Sequence, residues 1–449
     1  MSVLSRRYSP LVVYISYVCF IFIALYIGPL KYIEIDMFLV TLYVFIATIM
    51  FSIGYIFGVA KQIYPIEECN RRYELLSTKR HTQYIVNGLL FFGIIVALSS
   101  WFEFLRHGSS LSFSSLGRNY IDSYSGYVRG AAVVDLSYVL NIFSHAIIAS
   151  SLFFASYYFP RFSRYQRYMF FFVCGTYLIL HVIGSGKQKY LGDVVICFAV
   201  YVAFLKSRSY KKSTTKVLLF ILTVGVLIVF LFLEILRQRY MAAGIGIHNI
   251  DEVTHPLIYW DHESNVFDVF GDEYGFSLGI FLAYFTNGLY GLSLCLQLPF
   301  EWTYFVGNSY SLTRIIEIII GENGVIAQST YPVRAAEEFG WGATKWHSLY
   351  SWMASDFTFA GVLFIAGLFG YLYGRLWVEA INAKYIASGP LFTMFSLGLV
   401  FSLANNQLLH SLSGVIALLF IFLLWGVAKI YRGAFINGSS KYINDSMKG

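Results

Sequence analysis

The stretch Gly279 to Leu298, GIFLAYFTNGLYGLSLCLQL, is long and apolar enough to cross a lipid bilayer, and whether it crosses decides the topology of the whole chain. It carries Gly279, Asn287, Gly288 and Gly291 within the run, and it lies inside a segment, roughly 237 to 352, that is rich in aromatic and charged residues. On either side of that segment the chain consists of membrane-length hydrophobic runs. Of the 449 residues, 57% are hydrophobic and 13% charged, which is too apolar for a water-soluble core. The composition therefore predicts an all-α, polytopic integral membrane protein that uses lipid as solvent.

Apolar runs of spanning length fall near 11–30, 37–58, 84–104, 134–158, 168–184, 191–205, 217–236, 354–374, 391–411 and 413–431, about ten transmembrane helices in all. The first is too long for a signal peptide and lacks a small-residue cleavage site, so it reads as a retained span. Orientation follows from the preference of short-loop Lys and Arg for the cytoplasm. With the amino terminus inside, the clusters around Arg6–Arg7, Lys61, Arg71–Arg72, Lys79–Arg80, Arg161–Arg167, Lys206–Lys216, Arg375–Lys384 and Lys429–Lys448 all fall on the cytoplasmic side, while most carboxylates fall outside. Counting 279–298 as a further crossing would put Lys384 outside and invert the basic tail. The charge pattern thus predicts a re-entrant or interfacial segment there, both termini cytoplasmic, and an external insert. Three portions result: a seven-helix membrane portion, 1–236; a large external loop, 237–352; and a three-helix portion with a basic tail, 353–449.

The five cysteines, Cys19, Cys69, Cys174, Cys197 and Cys295, imply neither a disulfide framework nor a metal cluster. No phosphate loop, Cys-x-x-Cys or His-Glu-x-x-His is present, so the sequence offers no machinery for an ATP-driven pump or a zinc hydrolase and implies no cofactor. Topology accounts for the net charge of +7 and leaves no argument for a nucleic-acid partner.

Cations on the side where orientation does not favour them carry more information. These are Lys31, Arg106, Arg118, Arg129, Lys187, Lys189, Arg237, Arg239, Arg314, Arg334 and Lys345, several of them at span ends, a placement that points to an anion at the external membrane boundary. Two groups stand out. In Gly184-Ser185-Gly186-Lys187-Gln188-Lys189-Tyr190 the glycines permit close backbone approach and the lysines supply point charges. In Arg237-Gln238-Arg239-Tyr240 a guanidinium can fork onto two phosphate oxygens. Together they would clamp a diphosphate. The alternative for each is a snorkelling cation that serves headgroups only. Arg314 has a structural reading, a pair with Glu317 at helical spacing.

The second half of the insert holds Arg334, Glu338, Trp341, Trp346, His347, Tyr350 and Trp352, followed by Asp356. Aromatic side chains interleaved with polar ones suit sugar rings, which have apolar faces and hydroxyl rims; Trp346 and Tyr350 are the candidates for stacking. The same aromatics would equally form an interfacial belt. His347 is the first candidate for a proton acceptor, then Asp356 or Glu338, with a hydrogen-bonded structural histidine as the alternative.

In plan and in these residues the chain resembles the bacterial O-antigen polymerases, the oligosaccharide repeat-unit polymerases. The resemblance covers the whole hydropathy plan, and its local carriers are Gly186-Lys187-Gln188-Lys189-Tyr190, Arg237-Gln238-Arg239, Ser311-Leu312-Thr313-Arg314 and the stretch His347 to Gly361. An arginine followed by glycine in periplasmic loops is met by Arg237 with Gly244 or Gly246, by Arg334 with Gly340 or Gly342, and by Arg118 and Arg129-Gly130 in the first external loop. The resemblance implies a GT-C-like membrane glycosyltransferase in the bacterial inner membrane, whose large loop is periplasmic. Such an enzyme transfers a polyprenyl-diphosphate-linked glycan onto another lipid-linked repeat unit without a metal, and a chain-length regulator is a partner of the family. Three rivals stay open: an O-antigen ligase of similar plan, a lipid-linked oligosaccharide flippase, for which the large insert has little use, and a secondary transporter, for which no internal repeat is visible.

Overall fold

The computed structural model describes residues 3–33, 35–106, 111–122, 136–209, 215–342 and 346–446. Arg129, Lys345, the basic stretch 210–214 and Lys448 lie outside the described residues.

The chain is mostly helical. Its helices are α1 (Val3–Ile27), α2 (Met37–Gly58), α3 (Ile66–Thr78), α4 (Arg80–Arg106), α5 (116–122), α6 (Leu136–Tyr158), α7 (Arg164–Leu178), α8 (Lys189–Ser207), α9 (Thr215–Ala242), α10 (Ile250–Val253), α11 (Asn265–Cys295), α12 (Tyr310–Ile320), α13 (Tyr331–Phe339), α14 (Leu349–Ile381), α15 (Ser388–Phe401) and α16 (Leu412–Ser446). Among the described residues nine helices are long and apolar enough to cross a membrane, α11 included. The protein is therefore a multi-pass membrane protein by the length and composition of its helices.

Two expectations change. The span placed at 391–411 is the 14-residue α15, which stops at Phe401. At 1.5 Å per residue it is roughly 21 Å long, short of a bilayer core of about 30 Å. Polar residues end it: the Ser402 carbonyl accepts the Leu349 amide at 2.8 Å, and the 402–411 connection folds back through Asn405 and Asn406. The span expected at 354–374 begins earlier, and α14 breaks at Thr358, whose φ of 63° lies in the left-handed region that a β-branched residue rarely enters. The break lets 349–357 pack against Tyr14 and Tyr43, through Tyr350, while the remainder runs along α2.

That run is unusually close. A Cβ on Gly54 would lie 1.8 Å from the Gly367 carbonyl oxygen, and one on Gly370 would lie 2.0 Å from that of Phe51. Gly58 meets Tyr371 and Gly374 meets Tyr55 in the same manner. Residue numbers rise together along the two partners, so α2 and α14 are parallel, packed through small residues as membrane helices commonly are. Five long helices, α4, α6, α7, α8 and α9, lie between them in the chain. If each of these five crosses once, the parallel packing of α2 and α14 is compatible with an α11 that adds no further pass.

Several contacts of α11 are made with the α1–α2 connection. Strand β1 (Leu30–Tyr32), which follows α1, pairs antiparallel with β2 (Ile258–Trp260), which leads into α11. Gly279 lies against Trp260 and Pro29, the Tyr32 hydroxyl hydrogen-bonds Thr286 (2.6 Å) and Asn287 (2.8 Å), the Tyr290 hydroxyl donates to the Ile33 carbonyl (2.9 Å), and the Asp36 amide donates to Ser293 (3.0 Å). From Gly279 to Ser293, α11 thus follows the α1–α2 connection along one end of the bundle. Its glycines serve this path: a Cβ on Gly288 would lie 2.2 Å from the Leu403 carbonyl oxygen, and one on Gly291 would lie 2.8 Å from His347 Nδ1.

Candidate functional site

Beneath α11, at the same end of the bundle, lies a cavity of about 470 Å³ whose wall includes Lys187, Lys189, Arg239 and Trp346. Four residues from three separate stretches of the sequence are brought together there. The same wall carries apolar residues, Val195 and Ile196 of α8, Ile228 and Phe232 of α9 and Phe281 and Phe285 of α11. Three cations thus share a mostly apolar wall, whose other polar members are Tyr120, Gln188, Tyr190, Tyr284 and Gln407.

Local geometry places the cations. The chain leaves α7 through a π-helical turn, Ile179–Ile183, whose His181 carbonyl accepts both the Lys187 amide (2.9 Å) and the Ser185 hydroxyl (2.7 Å). Gly186 then takes a φ of 63°, and a Cβ there would meet the Leu116 carbonyl oxygen at 2.7 Å and Tyr120 at 2.8 Å. The glycine expected to approach a ligand instead approaches α5, because the left-handed turn leaves no room for a side chain between the two segments. This contact seats Tyr120 in the cavity wall. Lys189 opens α8, whose positive end faces the same space through Tyr190, Leu191 and Gly192. Burial pushes the Lys187 ammonium below its ordinary value.

The two arginines of Arg237-Gln238-Arg239 have different fates. Arg237 forks onto Glu234 with two bonds of 2.8 Å and reaches Glu273 at 3.1 Å, so its charge is matched by carboxylates. Arg239 lies 3.4 Å above the centre of the Tyr120 ring and 3.4 Å from the Tyr284 hydroxyl, and its buried Nε has no partner. Trp346 completes the wall, edge-on to Tyr284 with ring centres 5.0 Å apart. Sequence reasoning missed Tyr120, Tyr190, Tyr284 and Gln407 as wall residues. Tyr190 and Tyr284 stand in stretches already singled out, but nothing in the sequence marked Gln407.

A second cavity, about 790 Å³, adjoins the first; Lys189, Tyr190 and Gln407 belong to both walls. Its polar residues include Asp193, Tyr310, Ser311, Arg314, His410 and Ser411. Asp193 Oδ1 and His410 Nδ1 are buried there without a hydrogen-bond partner. Arg314 forms no ion pair among the described residues, and the pairing expected with Glu317 is not made: Glu317 is buried and accepts the Ile326 and Ala327 amides at 3.0 and 2.8 Å. His410 stacks on Tyr310, with centres 5.7 Å apart, and burial together with nearby Lys189 pushes its imidazole down to about 4. It is neutral at pH 7, with an unprotonated nitrogen free to accept a hydrogen bond, though a weaker base than an exposed histidine.

The remaining candidates lie away from both cavities. His347 is fully buried between Gly291 and Cys295, with its Nδ1 3.8 Å from the Cys295 sulfur, and so is sealed from any acceptor hydroxyl. Asp356 is buried and accepts from Thr303 (2.5 Å), the Gly307 and Asn308 amides (3.2 and 2.8 Å) and the Asn308 side chain (2.6 Å), so its oxygens hold the 303–308 loop. Glu338 is exposed on α13. Arg334 donates to the Pro299 carbonyl (2.6 Å) and pairs with Glu301 (3.2 Å). Tyr350 is buried in the aromatic core, and Arg118 is exposed on α5. Trp341 is fully buried edge-on to Tyr290, which removes it from either an interfacial belt or a sugar platform.

Comparison with protein-family models, with curated proteins and with solved structures finds no match to this chain.

Proposed function

We propose that the protein is an oligosaccharide repeat-unit polymerase, transferring a glycan from a polyprenyl diphosphate carrier to a second lipid-linked unit at the periplasmic face of the inner membrane. One observation carries this reading: Lys187, Lys189 and Arg239 line one cavity whose remaining wall is mostly apolar. A diphosphate with a long hydrocarbon tail has matching chemistry at both ends. In the low dielectric beneath α11, which in this reading lies in the outer membrane boundary, fixed cations stabilise the charge that develops on the departing phosphate oxygen. Preorganised charge of this kind favours the transition state over the ground state.

The adjoining cavity, whose largely apolar wall carries Asp193, Arg314 and His410, takes the acceptor sugar. Neutral His410 accepts the proton of the acceptor hydroxyl, the hydroxyl oxygen attacks the anomeric carbon, the bond from that carbon to the diphosphate breaks, and the carrier departs as polyprenyl diphosphate. Lys189 and Gln407, shared between the two walls, stand where the two substrates meet. This replaces His347 as the proposed base. Charge neutralisation comes from lysine and arginine, so the proposed reaction uses no metal.

The test is complementation of a strain lacking the gene, read on lipopolysaccharide gels. A Lys189→Ala, Arg239→Ala double variant should give lipopolysaccharide capped with a single repeat in place of a ladder. Long lipid-linked polymer that never reaches lipopolysaccharide would instead identify a ligase, and an unchanged ladder would end the proposal.

A further inference from the structure

At the end of the bundle opposite α11 is a third cavity, about 920 Å³, enclosed by α3, α4, the α14–α15 connection and α16. Its rim carries Arg71, Arg72, Lys79, His81 and Lys384, against one acidic residue, Glu68. Glu68 is already committed. Arg71 donates to both of its oxygens (2.9 and 3.1 Å) and Arg72 donates to one (2.5 Å), and these hydrogen bonds hold its carboxyl down at about 2. The Arg72 guanidinium also lies 4.1 Å from the centre of the Tyr64 ring, which fixes its orientation. Below this rim the walls are apolar, with Leu75 and Ile85 on one side and Leu424, Val427 and Tyr431 on the other. Leu75, Val427 and Tyr431 are exposed, so the slot opens sideways along α4 and α16, both of spanning length.

We infer that this cavity binds one anionic phospholipid of the inner leaflet, its phosphate held by Arg72, Lys79 and Lys384 and its acyl chains lying in the slot between α4 and α16. A basic rim by itself would follow from the positive-inside rule. Three elements folding their cations around one concavity, above an apolar slot that opens to the side, do not follow from it. A soluble phosphate would match the rim and leave the slot unexplained, whereas an anionic lipid matches both, as basic pockets between membrane helices on the cytoplasmic side do. The site is remote from the two cavities beneath α11 and does not depend on what they bind.

The experiment uses the purified full-length protein. Native mass spectrometry compares retention of phosphatidylglycerol with that of phosphatidylethanolamine of the same acyl chains, and thermal unfolding is followed with each lipid and with inorganic phosphate alone. Wild type should retain the anionic lipid roughly tenfold better than the zwitterionic one and be stabilised by it, and a Lys79→Ala, Lys384→Ala variant should lose most of that preference. Lys79→Arg with Lys384→Arg should keep it. Should the alanine variant fail to fold, Val427→Trp, which fills the slot without touching charge, should lower retention of the anionic lipid. Equal retention of the two lipids, unchanged retention in the alanine or tryptophan variant, or full stabilisation by phosphate alone would overturn the inference.

Discussion

Arg237 and Arg239 stand two residues apart on α9, roughly 200° apart around the helix, so only one can face the cavity. Arg237 is neutralised by Glu234 and Glu273, while Arg239 meets rings and a hydroxyl. Arg239→Ala should therefore lower polymer formation by about 100-fold, in line with losing a charge-stabilising donor, and Arg237→Ala should change it by less than about threefold. Quantifying ladder length and yield for the pair separates the two, and equal losses would mean the wrong arginine was assigned. The histidines divide likewise. His410→Ala should cost roughly 100-fold to 10,000-fold in rate if it is the general base of the proposed transfer, read as initial transfer with the purified protein, and His347→Gln should leave that transfer largely intact. His347 instead affects stability. Burial pushes its imidazole down to about 3, whereas an unfolded histidine titrates near 6.5, so below pH 6.5 the unfolded chain binds more protons than the folded one. Its contribution is full above about pH 6.5 and is lost as pH falls toward 3. Melting temperatures between pH 7 and pH 4 should decline less steeply for His347→Gln than for wild type.

At the scale of elements, the α2–α14 contact is the tightest seam in the bundle. Any side chain at Gly370 collides with backbone, which cannot yield as a flexible side chain would. Gly370→Leu should destabilise by about 3 kcal/mol or more through overpacking, seen as a lowered melting temperature or loss of monodisperse protein, whereas Gly192→Ala, where nothing lies within 4 Å, should not. The path of α11 was legible in part. Its length and hydropathy read as a span, and the sides on which Lys384 and the basic tail would fall argued otherwise. The glycines at 288 and 291 looked like defects in a span; they are the points where α11 crosses over the 402–411 connection and His347. Why α15 stops at Phe401 was not legible, because hydrophobicity continues through Leu403 and Ala404 and the polar break acts through a tertiary bond to Leu349.

For the whole molecule, the separation of charge sets the experiment. If α11 adds no pass, single cysteines placed at Glu263, before it, and at Trp302, after it, should both react with a membrane-impermeant reagent applied from the same side. Labelling from opposite sides would refute the arrangement and with it the proposed outer-face site. The arrangement also puts the cavities beneath α11 at one end and the basic, apolar-floored cavity at the other, so variants in one should leave the other's readout unchanged.

Composition, run length and the sidedness of Lys and Arg were enough to determine a multi-pass helical membrane protein and to single out Lys187, Lys189, Arg237 and Arg239 without distinguishing among them, because lipid tolerates few sequence patterns and cations on the side the positive-inside rule disfavours stand out. Which charges are free was decided by the tertiary structure alone. A carboxylate on another helix, as Glu273 of α11 is to Arg237, or burial against α11, as of His347 between Gly291 and Cys295, removes a group from chemistry. Such partners come from segments whose distance in sequence bears no relation to their distance in space.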